Sequence, residues 1–445
     1  MAKLVYDDTG RLLFTKEMKE EYTLLMPQML PIHFGMMRKM LECEGYKADI
    51  LNTTHRGVVD EGLKYVHNDT CYPALLVIGQ LIDAVKNGGY DPHKVALLIT
   101  QTGGGCRASN YIHLLRKALE KAGLSYVPVV SINLSGLEKN PGFAMTPSLL
   151  YKLMYAMAYG DLIMDVANQT RPYEVTPGST DELVEVWSQR LVEGFQHGKG
   201  LSGHQLKTNF RAICADFAAI PTQGEPKVRV GVVGEIYVKF SPLGNNNLEK
   251  FLLSEGAEPV VPGLMDFILY SAHARMTDVK LYGGSKLHIA LYNAFIAYGE
   301  GFQKKMAAAM GESGFRPCGT FSHLHSRIKG YLGDGNKMGE GWLLTAEMLE
   351  LIHSGAPNIV CTQPFGCLPN HIVGKGMIRK LKDEYPHSNI VAIDYDPGAT
   401  KINQENRIKL MLANARGRVT PMAPQADEKP ASKPRRRFPA SAAMF

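Results

Sequence analysis

The sequence has few cysteines and no long apolar run, and each absence excludes a class of protein. Seven cysteines among 445 residues are too few for a disulfide-stabilised scaffold. No run reaches the about 18 consecutive apolar residues that a membrane-spanning helix needs. The first residues carry charges of both signs without the apolar segment of a signal peptide. We therefore expect a cytoplasmic protein with reduced thiols and no membrane partner.

The sequence also lacks a strongly basic folded region. About half of the net charge of +6 comes from residues 421–445, where five basic side chains outnumber two acidic ones. A nucleic-acid-binding domain would need a basic stripe on its folded surface, so nucleic acid is not expected as a partner. The proline, alanine and arginine content of the C-terminal end predicts a disordered basic tail at 419–445.

Along most of the chain, short apolar strands alternate with amphipathic helices. Residues 95–100 are a β-branched and apolar run, and the helix after it has one apolar face and ends at Gly123. Such alternation is typical of parallel sheets. Between about residues 143 and 220, long helical patterns continue without a clear strand. We predict an α/β fold with two or three Rossmann-like lobes, parallel sheets and a helical insertion.

The domain boundaries are predicted from this interruption. An N-terminal α/β lobe covers residues 1–142, a helical segment 143–225, one or more C-terminal α/β lobes 226–418, and the tail 419–445. The stretch 311–341, rich in glycine and histidine, matches no predicted element.

Four of the seven cysteines lie beside glycine or proline at predicted strand ends or helix starts. Cys71 precedes a predicted helix, Cys106 follows the glycines of TQTGGGC, Cys361 ends a predicted strand at 358–361, and Cys367 lies in the loop after it. In an open α/β sheet, ligands bind at this edge, and helix N-termini lower the pKa of a thiol. These four are therefore candidate metal ligands. We expect the other three to pack as small buried side chains: Cys43, Cys214 and Cys318.

The spacing of the cysteines is compatible with several kinds of site. Zinc sites favour C-x₂-C pairs, whereas five residues separate the closest pair here, Cys361 and Cys367. Iron–sulfur clusters accept more widely spaced thiolates, and the glycines 103–105 would let the backbone approach cluster sulfides. Residues 102–105 also suit a phosphate-binding loop, although they lack the Lys-Ser/Thr of a P-loop. An iron–sulfur cluster, a zinc ion, and redox or structural thiols all stay open at this point.

Glu235 is the candidate catalytic residue. It follows the apolar run 230–234 at the end of a predicted strand, so its carboxyl group is expected at the same edge as the cysteines. Burial there would raise its pKa and suit it to general acid–base chemistry. A helix cap is the structural alternative for the same residue.

The segments that carry these residues resemble a known superfamily. HNDTCYPALLVIGQ, LITQTGGGCRASNY, VGVVGEIYVKFSP, GEGWLLTAEM and VCTQPFGCLPNHIVGKGMIRKL are similar to segments of the 2-hydroxyacyl-CoA dehydratase and benzoyl-CoA reductase superfamily. They most resemble the dehydratase-like part of the long proteins in which it is fused to an activase, the CoA-substrate-specific enzyme activase proteins. The resemblance extends over about residues 12–413.

The resemblance implies an iron–sulfur protein. Members of the superfamily bind a [4Fe–4S] cluster, or in some branches a double-cubane cluster, in the crevice between Rossmann-like lobes. By the resemblance, the ligands here are Cys71, Cys106, Cys361 and Cys367. The dehydratases proper use three cysteines in each of two related subunits. Four candidates therefore imply either a fully ligated cluster or one cysteine that is not a ligand.

The resemblance also implies partners and a reaction class. A separate homodimeric activase hydrolyses ATP and passes a low-potential electron to the cluster, and the chain itself shows no ATPase phosphate motif. The implied function is the iron–sulfur component of an activase-driven dehydratase or reductase, a lyase or oxidoreductase of anaerobic metabolism. It would act on an acyl-CoA-type substrate and work as a homo- or hetero-oligomer. Two alternatives remain: an ATP-driven double-cubane reductase of a small non-CoA substrate, and a non-catalytic iron–sulfur carrier or scaffold.

Overall fold

Parallel strands and helices alternate through the two ends of the chain in the computed structural model, which describes residues 2–101, 105–132, 138 and 140–417. The predicted tail at 419–445 lies outside these residues. The strands in the described ranges are β1 (Val5–Tyr6), β2 (Leu12–Leu13), β3 (Thr23–Pro27), β4 (Lys47–Leu51), β5 (Val95–Thr100), β6 (Val129–Ile132), β7 (Val228–Gly234), β8 (Ala257–Val260), β9 (Asn358–Pro364) and β10 (Asn389–Tyr395).

The helices in the same ranges are α1 (Lys16–Glu21), α2 (Pro31–Cys43), α3 (Arg56–Tyr65), α4 (Tyr72–Asn87), α5 (Tyr111–Lys121), α6 (Pro147–Thr170), α7 (Ser179–Gln196), α8 (Gly203–Ala218), α9 (Ile236–Phe240), α10 (Leu248–Ser254), α11 (Leu264–Tyr282), α12 (Lys286–Glu312), α13 (Phe321–Arg327), α14 (Trp342–His353), α15 (Ile378–Glu384) and α16 (Lys401–Arg416). Among the helices described here, none combines the length and the apolar character needed to cross a bilayer.

Two four-stranded parallel sheets form the framework, which confirms the predicted α/β class with parallel sheets. The N-terminal sheet has the order β4-β3-β5-β6, and the C-terminal sheet has the order β10-β9-β7-β8. In each sheet the first and third strands along the chain are neighbours, and the second and fourth lie outside them. The direction of the winding reverses between these two central strands, so a crevice opens at their carboxyl ends. In the N-terminal sheet that crevice follows β3 and β5, and in the C-terminal sheet it follows β7 and β9.

The apolar sequence explains why these strands and α4 are interior elements. All residues of β5 except Thr100 are buried, as expected for a parallel strand that is covered on both faces. In α4, every residue from Tyr72 to Val85 is buried. A helix that is apolar on all sides is an interior helix. Its buried N-terminal end places Cys71 inside the protein.

A layer of helices joins the two sheets. Helices α6, α7 and α8 fall in the predicted helical segment, and α6 and α8 also pack against α12. The sequence did not predict α11, which packs against α6 and α12. Asp161 of α6 accepts hydrogen bonds from the N–H groups of Leu264 and Met265, at 2.7 and 2.9 Å, and also contacts His33 of α2. One carboxylate thus connects α6 with helices from both ends of the chain.

The last α/β unit corrects two predicted boundaries. Strand β9 continues beyond Cys361 to Pro364, because residues 361–364 pair with 392–395 of β10. Cys361 therefore lies inside the strand and not at its end. The helix predicted from residue 371 begins instead as a π turn at Asn370–Gly374, and α15 begins only at Ile378. Part of the unassigned stretch 311–341 forms α13.

Candidate cysteine and carboxylate site

Cys71 lies at the N-cap of α4 and is 5% exposed. Its Sγ atom is 3.1 Å from the hydroxyl of Tyr111, which begins α5. The next residue, Tyr72, donates its backbone N–H to the carbonyl of Phe365 at 2.9 Å. Because Phe365 follows β9, this hydrogen bond brings the start of α4 to the crevice of the C-terminal sheet.

Cys106 follows β5 and begins a short 3₁₀ turn at Arg107–Asn110. Its Sγ accepts the N–H of Ala108 at 3.5 Å, and the residue is half-buried. A Cβ atom placed on Gly339 would lie 3.9 Å from this sulfur, so the loop before α14 passes close to Cys106. Thr102, Gly103 and Gly104 lie outside the described residues, so the suggested phosphate-binding loop has no structural account.

Cys367 lies in the loop after β9 and is 6% exposed. The residue before it, Gly366, has φ +71°, and a Cβ atom there would lie 3.0 Å from the Cα of Cys71. A side chain at 366 would therefore be strained by the backbone conformation and would also press on Cys71. Glycine at this position lets the loop of Cys367 lie directly against Cys71.

The three thiols share one electrostatic environment. Burial raises the pKa of Cys106 to about 12, and Glu340, Glu235 and Cys71 raise it further. Burial, followed by the same two carboxyl groups and Cys106, also raises the pKa of Cys367. Burial is the main cause for Cys71 as well, with Glu235 adding to it. These thiols stay protonated unless a metal cation binds, since a coordinated thiol loses its proton.

Cys361 lies apart from this set. It is fully buried in β9, where it pairs with Val233 on one side and Ala392 on the other. Its Sγ is 3.6 Å from the amide oxygen of Asn370. Burial raises the pKa of Cys361 to about 12, and none of the other three predicted ligands contributes to that change. The loops that carry the other three predicted ligands adjoin one another, since Gly366 lies against Cys71 and Gly339 lies against both Pro369 and Cys106.

Glu235 lies at the same edge as the three thiols and caps α9. Its Oε2 atom accepts the N–H of Val238 at 2.9 Å, as the capping alternative predicted. Burial, together with the charge of Glu340, raises the pKa of Glu235 to about 8. Hydrogen bonds from a helix N-terminus normally favour the carboxylate, but burial dominates here. Glu235 is therefore a cap that still carries a proton at neutral pH.

Sequence reasoning missed Glu340, the second carboxyl group of the site. Its Oε1 atom accepts the N–H of Ile236 at 3.0 Å, so both glutamates bind the first turn of α9. Burial raises the pKa of Glu340, and Glu347 adds to this while Lys239 opposes it. Glu340 lies between two glycines in the segment GEGW. The two signals in the sequence were this glycine context and the place of GEGWLLTAEM among the segments that resemble the superfamily.

A buried ion pair adjoins the two glutamates. Lys239 Nζ lies 2.8 Å from Glu347 Oε1, and the two side chains are 4% and 3% exposed. The same Glu347 also lines a cavity of about 340 Å³ beside β8. Ligand-binding cavities begin at about this volume. The charged residues that line it are Asp161, Asp165, Glu258, Asp266, Glu347, Glu350, Arg229 and Arg316.

The other three cysteines have separate surroundings. Cys43 is exposed at the end of α2, so the expectation that it packs in the interior is wrong. The buried face of α2 is formed instead by other residues, such as Met40 and Leu41. Cys214 is fully buried in α8, as predicted. Cys318 lines the cavity, where burial raises the pKa of its thiol and Asp165 adds to this.

No protein-family model and no curated protein matches this chain. The chemistry of the site itself is therefore the basis for interpretation. The loops that carry three of the cysteines adjoin one another beside two glutamates, and burial raises the pKa of both carboxyl groups.

Proposed function

We propose that this chain is the iron–sulfur component of an activase-driven, low-potential dehydratase or reductase. In this proposal Cys71, Cys106 and Cys367 hold a [4Fe–4S] cluster in a crevice between two Rossmann-like lobes, each built on one of the parallel sheets. The observation that carries the proposal is that the loop of Cys367 lies against Cys71, while the loop before α14 lies against both Cys106 and the loop of Cys367. The segments that resemble those of the dehydratase superfamily support the same interpretation.

The donor set and its surroundings fit such a cluster. Iron–sulfur clusters are held by cysteine thiolates, and hydrogen bonds to their sulfur atoms tune the potential. The Tyr111 hydroxyl at Cys71 and the Ala108 N–H at Cys106 are such donors. Gly366 keeps a Cβ atom away from the backbone of Cys71. When bound, the cluster would supply one-electron reduction at low potential.

Cys361 is assigned a structural role in this proposal. Its thiol faces Asn370 inside β9, and the amide of Asn370 in turn donates to the carbonyl of Thr362 at 2.6 Å. Both contacts hold the π turn after Cys367 against the strand. Three protein ligands, as in each subunit of the dehydratases proper, would leave one iron without a cysteine.

Glu235 favours an enzyme over an electron carrier. A carrier needs no acid beside its cluster, whereas dehydration or reduction of a substrate needs a proton at the reacting atom. Burial and Glu340 keep a proton on Glu235 up to a pH of about 8. Its charge raises the pKa of all three thiols, Cys71, Cys106 and Cys367. We assign Glu235 as the proton donor.

The cavity beside Glu347 favours a second candidate, a reductase of a small non-CoA substrate. Six acidic side chains line this cavity against two arginines, and both arginines contact the same residue, Glu258. The excess negative charge would repel the phosphate groups of coenzyme A. A small neutral or cationic molecule suits this lining better than an acyl-CoA does.

Anaerobic purification with iron and sulfide analysis tests the cluster. One cubane predicts about four iron atoms per chain and two cubanes predict about eight, and EPR of the reduced protein should show the cluster signal. Stoichiometric zinc without iron would exclude this function. The candidates are then separated by whether reduction of the cluster requires ATP and a homodimeric activase. Full reduction of the cluster by a ferredoxin without ATP would favour the carrier.

A further inference from the structure

Two histidines and an aspartate converge at a place remote in sequence from the cysteines. His273 lies on α11, His325 lies on α13, and Asp334 lies in the loop between α13 and α14. One ligand atom from each lies within 4.8 Å of those of the other two. Both imidazoles direct Nε2 at the same carboxylate: His325 at 2.8 Å and His273 at 3.9 Å.

His273 lacks the hydrogen bonds that a buried imidazole normally makes. The residue is 5% exposed, and its Nδ1 atom is buried without a partner among the described residues. Its Nε2 atom is too far from Asp334 for a hydrogen bond. An ion between Nε2 and Asp334 would supply Nε2 with a partner.

The charge state of His273 suits a metal ligand. Burial lowers the pKa of His273 to about 4, and the neighbouring His325 lowers it further. At neutral pH the ring is therefore neutral and has a free lone pair, as metal binding requires. Trp342 lies edge-on to this ring with centroids 5.6 Å apart, and Phe321 is 6.1 Å away. These aromatic contacts fix the orientation of the ring.

We propose that His273, His325 and Asp334 bind one Zn²⁺ ion. Zinc takes imidazole nitrogens at 2.0–2.1 Å and carboxylate oxygens at about the same length, which places tetrahedral ligand atoms about 3.3 Å apart. The two observed separations lie on either side of that value. Zinc would draw His273 towards Asp334 and would replace the proton that His325 shares with it. Asp334 and His325 are 41% and 32% exposed, so water has access to the fourth position.

The site would fix the loop that carries Glu340. That loop begins after α13, passes Asp334 and Gly339, and ends at Trp342. The N–H of Trp342 donates to the carbonyl of Asn336 at 2.7 Å, which closes the loop on itself. A metal bound by Asp334 would therefore anchor the same loop to α11 and α13.

Zinc titration of the full-length protein tests the proposal. After treatment with a chelator, the protein should take up one Zn²⁺ per chain in competition with a chromophoric chelator, and the bound ion should raise the melting temperature. Asp334→Asn and His273→Gln should each weaken binding by more than about 100-fold, because changes that only touch a ligand's neighbours already cost 10–100-fold. His323→Ala is the control, because His323 lies on α13 together with His325 but pairs with Glu350.

Because the three thiols can also bind a metal, a triple variant removes the cysteine site from this test. A variant with Cys71, Cys106 and Cys367 all changed to alanine should still bind one zinc, whatever becomes of its iron. Zinc uptake that is lost in this variant but kept in Asp334→Asn would overturn the proposal. Uptake that is absent from the wild type, or replaced by iron at these three residues, would overturn it as well. Lys280 acts on both His273 and Asp334, so Lys280→Ala should tighten zinc binding.

Discussion

The backbone N–H of Tyr72 donates to the carbonyl oxygen of Phe365 at 2.9 Å. Tyr72 begins the interior helix of the N-terminal sheet, and Phe365 begins the loop that carries Cys367. The bond therefore ties together the two parts of the chain that supply Cys71 and Cys367. A site divided between two sheets depends on such contacts, since neither sheet alone contains all of its ligands.

Serine substitutions should separate ligands from structural cysteines. Cys71→Ser, Cys106→Ser and Cys367→Ser should each lose most of the bound iron, because each removes one of three thiolates. Cys361→Ser should keep its iron. The matched control is Cys214→Ser, which changes an equally buried thiol in α8. Iron and sulfide analysis of anaerobic protein decides the matter: if Cys361→Ser bleaches as the other three do, Cys361 is a ligand.

Gly366→Ala should disturb the site beyond its effect on the backbone. Gly366 and Gly123 have φ +71° and +73°, but only a Cβ atom on Gly366 meets Cys71. Both alanine variants should lose roughly 1 kcal/mol of stability from the unfavourable φ. Only Gly366→Ala should also lower the iron content, because it moves Cys71 and Cys367 apart. Equal iron in the two variants would show that the contact is unimportant.

Glu235→Gln should impair turnover and spare the cluster. Glutamine keeps the size and the cap acceptor but has no proton to donate, so the rate should fall by about 10²–10⁴-fold, the usual share of a general acid. Wild-type activity should be retained at neutral pH and lost above a pH of about 8, where Glu235 ionises. In Glu340→Gln this loss should occur at lower pH, since the neighbouring charge is gone. Reduction of a small unsaturated probe molecule, per intact cluster, is the measurement.

Substitutions of Lys239 and Glu347, which form a buried ion pair, should have strongly non-additive effects on the free energy of unfolding. Lys239→Met leaves the Glu347 carboxylate buried without a cation, and such a change typically costs about 3–5 kcal/mol. The double variant Lys239→Met with Glu347→Leu should be far less destabilised, because no unpaired charge remains. Denaturant unfolding of the two variants and of Glu347→Leu completes the cycle. Additive effects would contradict the pairing.

Asp266 should make the protein less stable as the pH rises. Burial raises the pKa of Asp266 from 3.8 to about 7, so folding favours its protonated form. The resulting stability is complete below pH 3.8 and is lost as the pH rises through about 7, with a slope of about 1.4 kcal/mol per pH unit between them. Asp266→Asn keeps an amide oxygen for Gln303 and should remove this slope. The free energy of unfolding measured at pH 5 and pH 7 for both proteins tests this.

Local patterns in the sequence predicted many of the strands and helices. The errors arose where tertiary packing determines the structure. β5 was predicted at its observed bounds, since an apolar β-branched run has few alternatives. β9 was cut short because Thr362 and Gln363 are polar, although both are buried: Thr362 pairs with β7 and β10, and Gln363 pairs with β10. Helix α11 was missed because its apolar residues do not lie on one face. Such errors arise wherever tertiary contacts outweigh local pattern.

Only part of the candidate site could be predicted from the sequence, because tertiary packing determines the rest. Cysteines beside glycine or proline at element ends were visible in the sequence, and the loops that carry three of them adjoin one another in the structure. The position of Glu340 depends on how the loop before α14 folds across the first turn of α9, which no local pattern encodes. The separation of Cys361 from the others follows from the true end of β9.

Because the site is divided between two sheets, it can form only after both sheets have been synthesised. Nearly three hundred residues lie between Cys71 and Cys367, so a ribosome adding about 5–20 residues per second needs roughly 15–60 seconds to connect them. During that interval the N-terminal sheet has Cys71 but no complete site to use it. Burial raises the pKa of this thiol, and a protonated thiol resists oxidation. Because the loop of Cys367 lies directly against Cys71, Cys71 gains its full protection from oxidation only after the C-terminal sheet has been made.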